Sequence, residues 1–179
     1  MQILKREQVF NGHFKVNQLT LQTPDGEQIK REQFAPGHAV AALVFDTSKQ
    51  QYILTRQFRT GPEQAIPEIA AGMIDQGESP ETAVRREIHE ELGYEVDELT
   101  RIVELWPSPG TSSETIVVYY AETSRQTGAG GGLAEEHESI EFLYFSREKL
   151  FQQIFQDAKT IVAVQWAQLH VPESPWPTH

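Results

Sequence analysis

Apolar and polar positions alternate over Phe14–Leu21, break at Pro24-Asp25-Gly26, and resume an extended pattern over Gln28–Phe34. This is the signature of short strands joined by a polar turn. A sheet of three such strands is marginal by itself, so residues 1–36 are expected to pack on the rest of the chain or on a second copy of it. Pro36-Gly37 then punctuates, and His38–Phe45 is an unbroken apolar run bounded by turn residues. Such a run predicts a strand buried on both faces. Gln51–Arg59 predicts a second strand ending in arginine, and Ala65–Ala70 a short third one beyond the 61–64 loop. Further strands are predicted at Leu99–Leu105, Thr115–Ala121 and Ile140–Phe145.

Ser79-Pro80-Glu81 is a helix start: serine as N-cap, proline in the first turn and an acid beside the helix dipole. Val84, Ile88 and Leu92 recur at helical spacing as a buried stripe, and Gly93 marks the stop. Helices are also expected over Arg147–Gln156 and Thr160–Leu169, with Trp106 and Trp166 in the core. The glycine-rich run Thr127–Gly132 reads as a flexible loop, and Val171–His179, which includes Trp176, as a frayed tail. No internal repeat is present. The chain therefore divides into a β-subdomain (1–36), a main domain (37–170) and a tail (171–179). Mixed strands and helices give an α/β class with a mixed sheet.

Composition narrows the function. With 39% hydrophobic and 23% charged residues, the 179-residue chain is an ordinary globular protein. It contains no cysteine, which excludes disulfides, zinc fingers and a thiol nucleophile. A net charge of −11 repels phosphate backbones and argues against nucleic-acid binding. The N-terminus lacks a signal-peptide apolar stretch and no run is long enough to span a bilayer, so a cytoplasmic protein without a membrane partner is expected.

The candidate chemistry lies in Gly72–Gly93. Glu87 and Glu91 are four residues apart and stack on one helix face, with Glu90 beside them. This strip adjoins the apolar stripe, so the acids sit at the edge of the core. Two readings are open at this level. The strip is a solvated acidic face, or it holds a cation, and an oxygen-only donor set suits Mg2+ or Mn2+ rather than zinc. His38, His89, His170 and His179 show no ligand spacing.

The same stretch is similar to the Nudix box, Gly-x5-Glu-x7-Arg-Glu-U-x-Glu-Glu-x-Gly-U with U bulky and apolar. Gly72, Glu78, Arg86, Glu87, Ile88, Glu90, Glu91 and Gly93 all match, while Tyr94 puts an aromatic at the final U. The resemblance extends over nearly the whole chain towards the ADP-ribose pyrophosphatase and nucleoside-diphosphate-sugar hydrolase group. It rests there on Pro109, sixteen residues after Gly93, on Lys30-Arg31-Glu32, on Arg56–Arg59 and on the acidic run after Gly132.

The resemblance implies an α/β/α Nudix sandwich with a mixed sheet and a small N-terminal antiparallel sheet exchanged between two subunits of a homodimer. It implies Mg2+-dependent hydrolysis of ADP-ribose to AMP and ribose 5-phosphate, with Mn2+ as a possible substitute. GDP-mannose is the nearest alternative substrate and a non-catalytic ADP-ribose sensor a more distant one. The implied metal ligands are the carbonyl of Ala71 with Glu87, Glu91 and Glu138. Glu90 supports them, Arg86 orients Glu78, and the base is Glu136, with Glu135 its neighbouring rival. The implied substrate contacts are His13 or Phe14 for the nucleobase, Arg31, Glu32, Arg59, Gly72, Met73, Pro109 and Glu114, and more weakly Lys159.

Overall fold

The computed structural model describes residues 1–132 and 140–172. Among these the strands are β1 (Gln2–Asn11), β2 (Lys15–Gln22), β3 (Gln28–Phe34), β4 (Ala39–Asp46), β5 (Gln51–Arg59), β6 (Gln64–Glu68), β7 (Ala70–Met73), β8 (Tyr94–Leu105), β9 (Ile116–Gln126) and β10 (Glu141–Phe145). The helices are α1 (Pro80–Glu87), continued by a π-helical turn over Ile88–Leu92, then α2 (Arg147–Gln152) and α3 (Ala158–His170).

The unbroken apolar run becomes the central strand of a mixed sheet ordered β10-β5-β4-β9-β8, with β6 added to β5 and β7 to β4. β4 runs parallel to β9 and antiparallel to β5 and β7. Its side chains divide between two cores, which is why the run does not alternate. Ala39, Ala41 and Leu43 meet Leu150, Ala163, Val164 and Ala167 of α2 and α3 on one face. Val40, Ala42 and Val44 meet Ala83, Val84, Ile88 and Leu92 on the other. The stripe Val84, Ile88 and Leu92 is fully buried, and each such side chain contributes about 1.5–3 kcal/mol. Helices thus cover both sheet faces, the expected α/β/α sandwich.

Several boundaries differ from the sequence expectation, each for a local reason. The predicted single strand Ala65–Ala70 splits at Ile69 into β6 and β7, which pair with different neighbours. β8 begins at Tyr94 rather than Leu99, because register shifts near Val96 interrupt the alternation that marks a strand. β9 continues to Gln126 opposite this extension. α2 stops at Gln152, and α3 starts at Ala158, where the Asp157 side chain accepts from Thr160 N as N-cap. Trp106, expected in the core, is 59% exposed at the end of β8, whereas Trp166 packs against the α3 core. Trp176 lies outside the described residues. No described helix is long and apolar enough to cross a membrane.

The antiparallel sheet β1-β2-β3 stands apart from the main one. It is joined to the body where Phe34 N donates to Thr111 O (2.8 Å) and Ser113 N donates to Phe34 O (3.0 Å). Every residue of β1 is exposed, including Ile3, Val9 and Phe10.

Tyr94, the aromatic at an apolar box position, uses both ends. Its ring is buried and its hydroxyl donates to Asp46 Oδ2 (2.9 Å) while accepting from Lys49 Nζ (2.7 Å). Asp46 also accepts from Ser48 N and Oγ and from Lys49 N, at 2.9, 2.7 and 3.0 Å. Burial pushes the Asp46 carboxyl up, but the bonds from Ser48, Lys49 N and Tyr94 outweigh it and hold it below its ordinary 3.8. A depressed carboxyl contributes stability that is complete above its unfolded value and lost as pH falls through the lowered folded one. Tyr94→Phe is expected to cost about 1–3 kcal/mol in urea unfolding. Asp46→Asn should flatten the loss of stability below pH 3.8 in acid melts.

Candidate active site

Ser79 Oγ accepts from Thr82 N (3.1 Å) and fixes the start of α1. The helix lies along β7, so its inner edge faces the Ala71-Gly72 backbone. Glycine at position 72 is required by this approach. A Cβ there would lie 2.0 Å from the carboxylate carbon of Glu87, so Glu87 occupies the space a side chain would take. Glu91, 5% exposed, accepts from Ala71 N at 3.2 Å.

Arg86 organises the remaining acids. Its guanidinium donates through Nε and Nη2 to both carboxylate oxygens of Glu78 (3.1 and 3.0 Å), through Nη1 to Glu87 (2.8 Å) and Glu90 (3.0 Å), and to Met73 O (3.0 Å). Asp75 is a further partner at 3.9 Å. The planar fork meets several acceptors at once, which a lysine could not do. The bond from Arg86 holds the Glu78 carboxyl below its ordinary value. The bond to Glu78, followed by Glu87 and Glu90, raises the guanidinium well above its own.

The π-helical turn widens the helix where Glu90 and Glu91 sit, as such turns often do at functional sites. Its end is held by the glycine-rich run. Thr127 N and Gly128 N donate to Gly93 O (2.8 and 2.9 Å), Gly131 N to Glu91 O (2.7 Å) and Gly132 N to Glu90 O (3.2 Å). The run expected to be freely flexible is therefore docked through its backbone. Gly130, at φ +65°, passes so close that a Cβ would lie 2.6 Å from Glu91 O. Orphan carbonyls at the helix end explain the docking.

These acids form one side of a cavity of about 820 Å³ whose lining includes His13, Ala71, Gly72, Met73, Glu87, Glu90, Glu91 and Glu114. Arg59 and Lys159 line it too, and both are held by Glu68. Burial pushes the Glu114 carboxyl up, and the charges of Lys159 and His38 work against that rise.

The structure brings together His13, Arg59, Ala71, Gly72, Met73, Arg86, Glu87, Glu90, Glu91 and Glu114, with Glu78 attached through Arg86. It does not bring in Arg31, Glu32, Phe14 or Pro109 within one copy of the chain. Arg31 and Glu32 line a separate concavity of the N-terminal sheet with Gln18 and Lys30. Phe14 packs edge-on against His13 and Phe34 instead, and Pro109 is exposed in the 106–115 connection. Glu135, Glu136, His137 and Glu138 lie outside the described residues.

Glu68 was missed. The available signals were one acid inside the apolar run Ile66–Ala70 and a lysine two residues past a helix N-cap, where the dipole disfavours a cation. Among the described residues no group of three or more Asp, Glu or His side chains has metal-holding geometry. The oxygen-bearing acids that line the cavity are Asp75, Glu87, Glu90, Glu91 and Glu114, a chemistry that suits a hard divalent cation.

The NUDIX domain family model matches residues 35–166. An ADP-ribose pyrophosphatase of Escherichia coli K12 is 32% identical over 95% of this chain and 88% of its own length. A GDP-mannose pyrophosphatase of Cronobacter sakazakii is also 32% identical, over 94% of this chain and 95% of its own. Among solved structures, that of an ADP compounds hydrolase superposes with a TM-score of 0.76 at 23% identity, covering 93% of this chain and 94% of the other.

Proposed function

The chain belongs to the NUDIX domain family and is a Nudix hydrolase, and from that premise we propose that it hydrolyses the diphosphate of ADP-ribose to AMP and ribose 5-phosphate, with Mg2+ as cofactor and Mn2+ able to replace it. The observation that carries this reading is a single cavity lined by the Glu87, Glu90 and Glu91 carboxylates together with Arg59 and Lys159. Such a lining suits a substrate whose anionic oxygens need cations around them.

Glu87, Glu91, the carbonyl of Ala71 and Glu138 would hold the metal. That fits the hard oxygens beside Gly72, a place no side chain can enter. Bound there, a dication neutralises diphosphate oxygens and makes water more acidic. Arg86 keeps Glu87 and Glu90 in place and ties them to Glu78. Arg59 and Lys159 neutralise phosphate oxygens, and Glu114 and His13 contact the sugar and nucleobase portions. A carboxylate oxygen of Glu136 takes a proton from the attacking water as one phosphorus–oxygen bond forms and the bridging one breaks. Losing such a base costs about 10²–10⁴-fold in rate. Exposure of Ile3, Val9 and Phe10 on β1 supports pairing with a second copy, which would add the Arg31 and Glu32 of one N-terminal sheet to the other subunit's cavity.

The test is product analysis on ADP-ribose and GDP-mannose side by side, with Mg2+ supplied or chelated. Metal-dependent AMP release from ADP-ribose is the expected result. Predominant GMP release from GDP-mannose would transfer the reading to that substrate, which the Cronobacter relative is named for. Turnover of neither would overturn it.

A further inference from the structure

Glu68 is a charged side chain in the wrong place for ordinary packing. It ends β6, is 1% exposed, and sits behind the cavity wall rather than in it. A carboxylate this deep needs partners for both oxygens, and it has them. Arg59 Nε donates to Oε1 and Lys159 Nζ to Oε2, each at 2.6 Å. Both cations line the cavity, as does Arg86, which has its own ion pairs with Glu78, Glu87 and Glu90. Arg59 and Lys159 come from elements far apart in the chain, the end of β5 and the first turn of α3.

The neighbouring contacts make the arrangement rigid. Ile69 N, next to Glu68, donates to Thr160 Oγ1 (2.9 Å), and that hydroxyl donates to the Asp157 N-cap (2.6 Å). Lys159 Nζ also donates to Asp157 Oδ1 at 3.0 Å. The start of α3 is thus pinned to the β6–β7 break by backbone and side chain together. Lys159 is only 12% exposed and lies where a helix dipole disfavours positive charge, so its position is set by these acids and not by helix preference.

We propose that Glu68 is a positioning residue for substrate binding: its buried carboxylate holds Arg59 and Lys159 apart from the Glu87, Glu90, Glu91 and Glu114 carboxylates that share the cavity, so that both cations meet the anionic substrate. The physical reason is competition. Two long flexible cations beside these carboxylates would otherwise fold onto them, and each such pair would have to break before a phosphate could bind. An anchor behind the wall turns that reorganisation into a preorganised site. The inference rests on the reading of the cavity as a diphosphate site.

The test is steady-state kinetics on ADP-ribose and GDP-mannose with Mg2+, comparing wild type, Glu68→Gln, Glu68→Asp, Lys159→Met and the double variant Glu68→Gln/Lys159→Met. Glu68→Gln is expected to raise KM by about 10–100-fold, the scale of a lost charge-assisted hydrogen bond, while kcat changes less than about threefold. Glu68→Asp should fall between, and it carries the test if Glu68→Gln does not fold. Adding Glu68→Gln to Lys159→Met should raise KM by much less than it does in wild type, because one of its two clients is already gone. A purely structural role predicts lower melting temperature and less active enzyme at unchanged KM. Wild-type KM in both Glu68 variants, or full additivity in the double variant, would overturn the proposal. Absence of wild-type turnover on both substrates would instead overturn the diphosphate reading, and the proposal with it.

Discussion

Replacing Glu91 with glutamine is expected to lower kcat on the preferred nucleotide sugar by about 10³-fold, the scale on which removing one charge-stabilising group acts, with little change in melting temperature. Glu91 combines two properties that seldom coexist. It is 5% exposed, yet it is a carboxylate, and it accepts from the neutral Ala71 N at 3.2 Å. Glutamine keeps the shape and the acceptor oxygen for Ala71 N, so the fold should tolerate it. What disappears is the negative charge beside the Gly72 backbone, and with it a hard donor for a divalent cation. The check is turnover at saturating Mg2+ alongside a thermal melt. Wild-type turnover would remove Glu91 from the proposed ligand set, and a collapsed melt would mean that the substitution tests folding alone.

Arg86→Ala is expected to damage both stability and rate. Its removal leaves Glu78, Glu87 and Glu90 without the cation they share at 3.0, 2.8 and 3.0 Å. Losing one partner of a fully buried pair costs about 3–5 kcal/mol. Arg86 is 29% exposed, so water offsets part of that and about 2–4 kcal/mol is expected. Activity should fall by about 10–100-fold, as when supports behind a ligand set are lost. Arg86→Lys should recover little of either. An ammonium cannot meet both oxygens of Glu78 while also reaching Glu87, Glu90 and Met73 O. Urea unfolding and kcat measured on both variants check this, and a lysine variant close to wild type would show that charge, not fork geometry, is what the site requires.

The contrast between these residues and Glu68 shows what a sequence makes legible. Gly72–Gly93 is local: the acids, the arginine and the apolar stripe sit within one loop and one helix, so spacing translates directly into a shared face. The apolar run that became β4 was equally plain, because burial on both faces leaves no polar residue to misread. The Glu68–Lys159 pair joins positions 91 apart in the chain, and no periodicity links them. The β6–β7 break and the early start of β8 were hidden for another reason. A strand that changes partner or carries bulges loses its alternation while remaining extended. The glycine run misled because composition reports what a backbone can do unconstrained. Here free helix-end carbonyls capture its amides. Trp106 misled because a large apolar residue is not obliged to be inside.

The parallel pairing of β4 with β9 sets the order of events during synthesis. Ala39 lies opposite Ile116, and both line the cavity, as does Val40. When β4, β5 and β7 have left the ribosome, the strand that completes the floor is still some 40 residues away, since Ala70–Met73 precedes Ile116 by that length. Until then the most apolar segment of the chain lacks a neighbour along one edge, and such edges recruit other chains. Closing a contact across so long a loop is slow compared with forming hairpins. The nascent chain is therefore expected to leave this edge open until β9 emerges, and the final parallel pairing to close both the edge and the cavity. Regain of activity on refolding should follow the same time course as burial of Tyr119 and Tyr120 on β9.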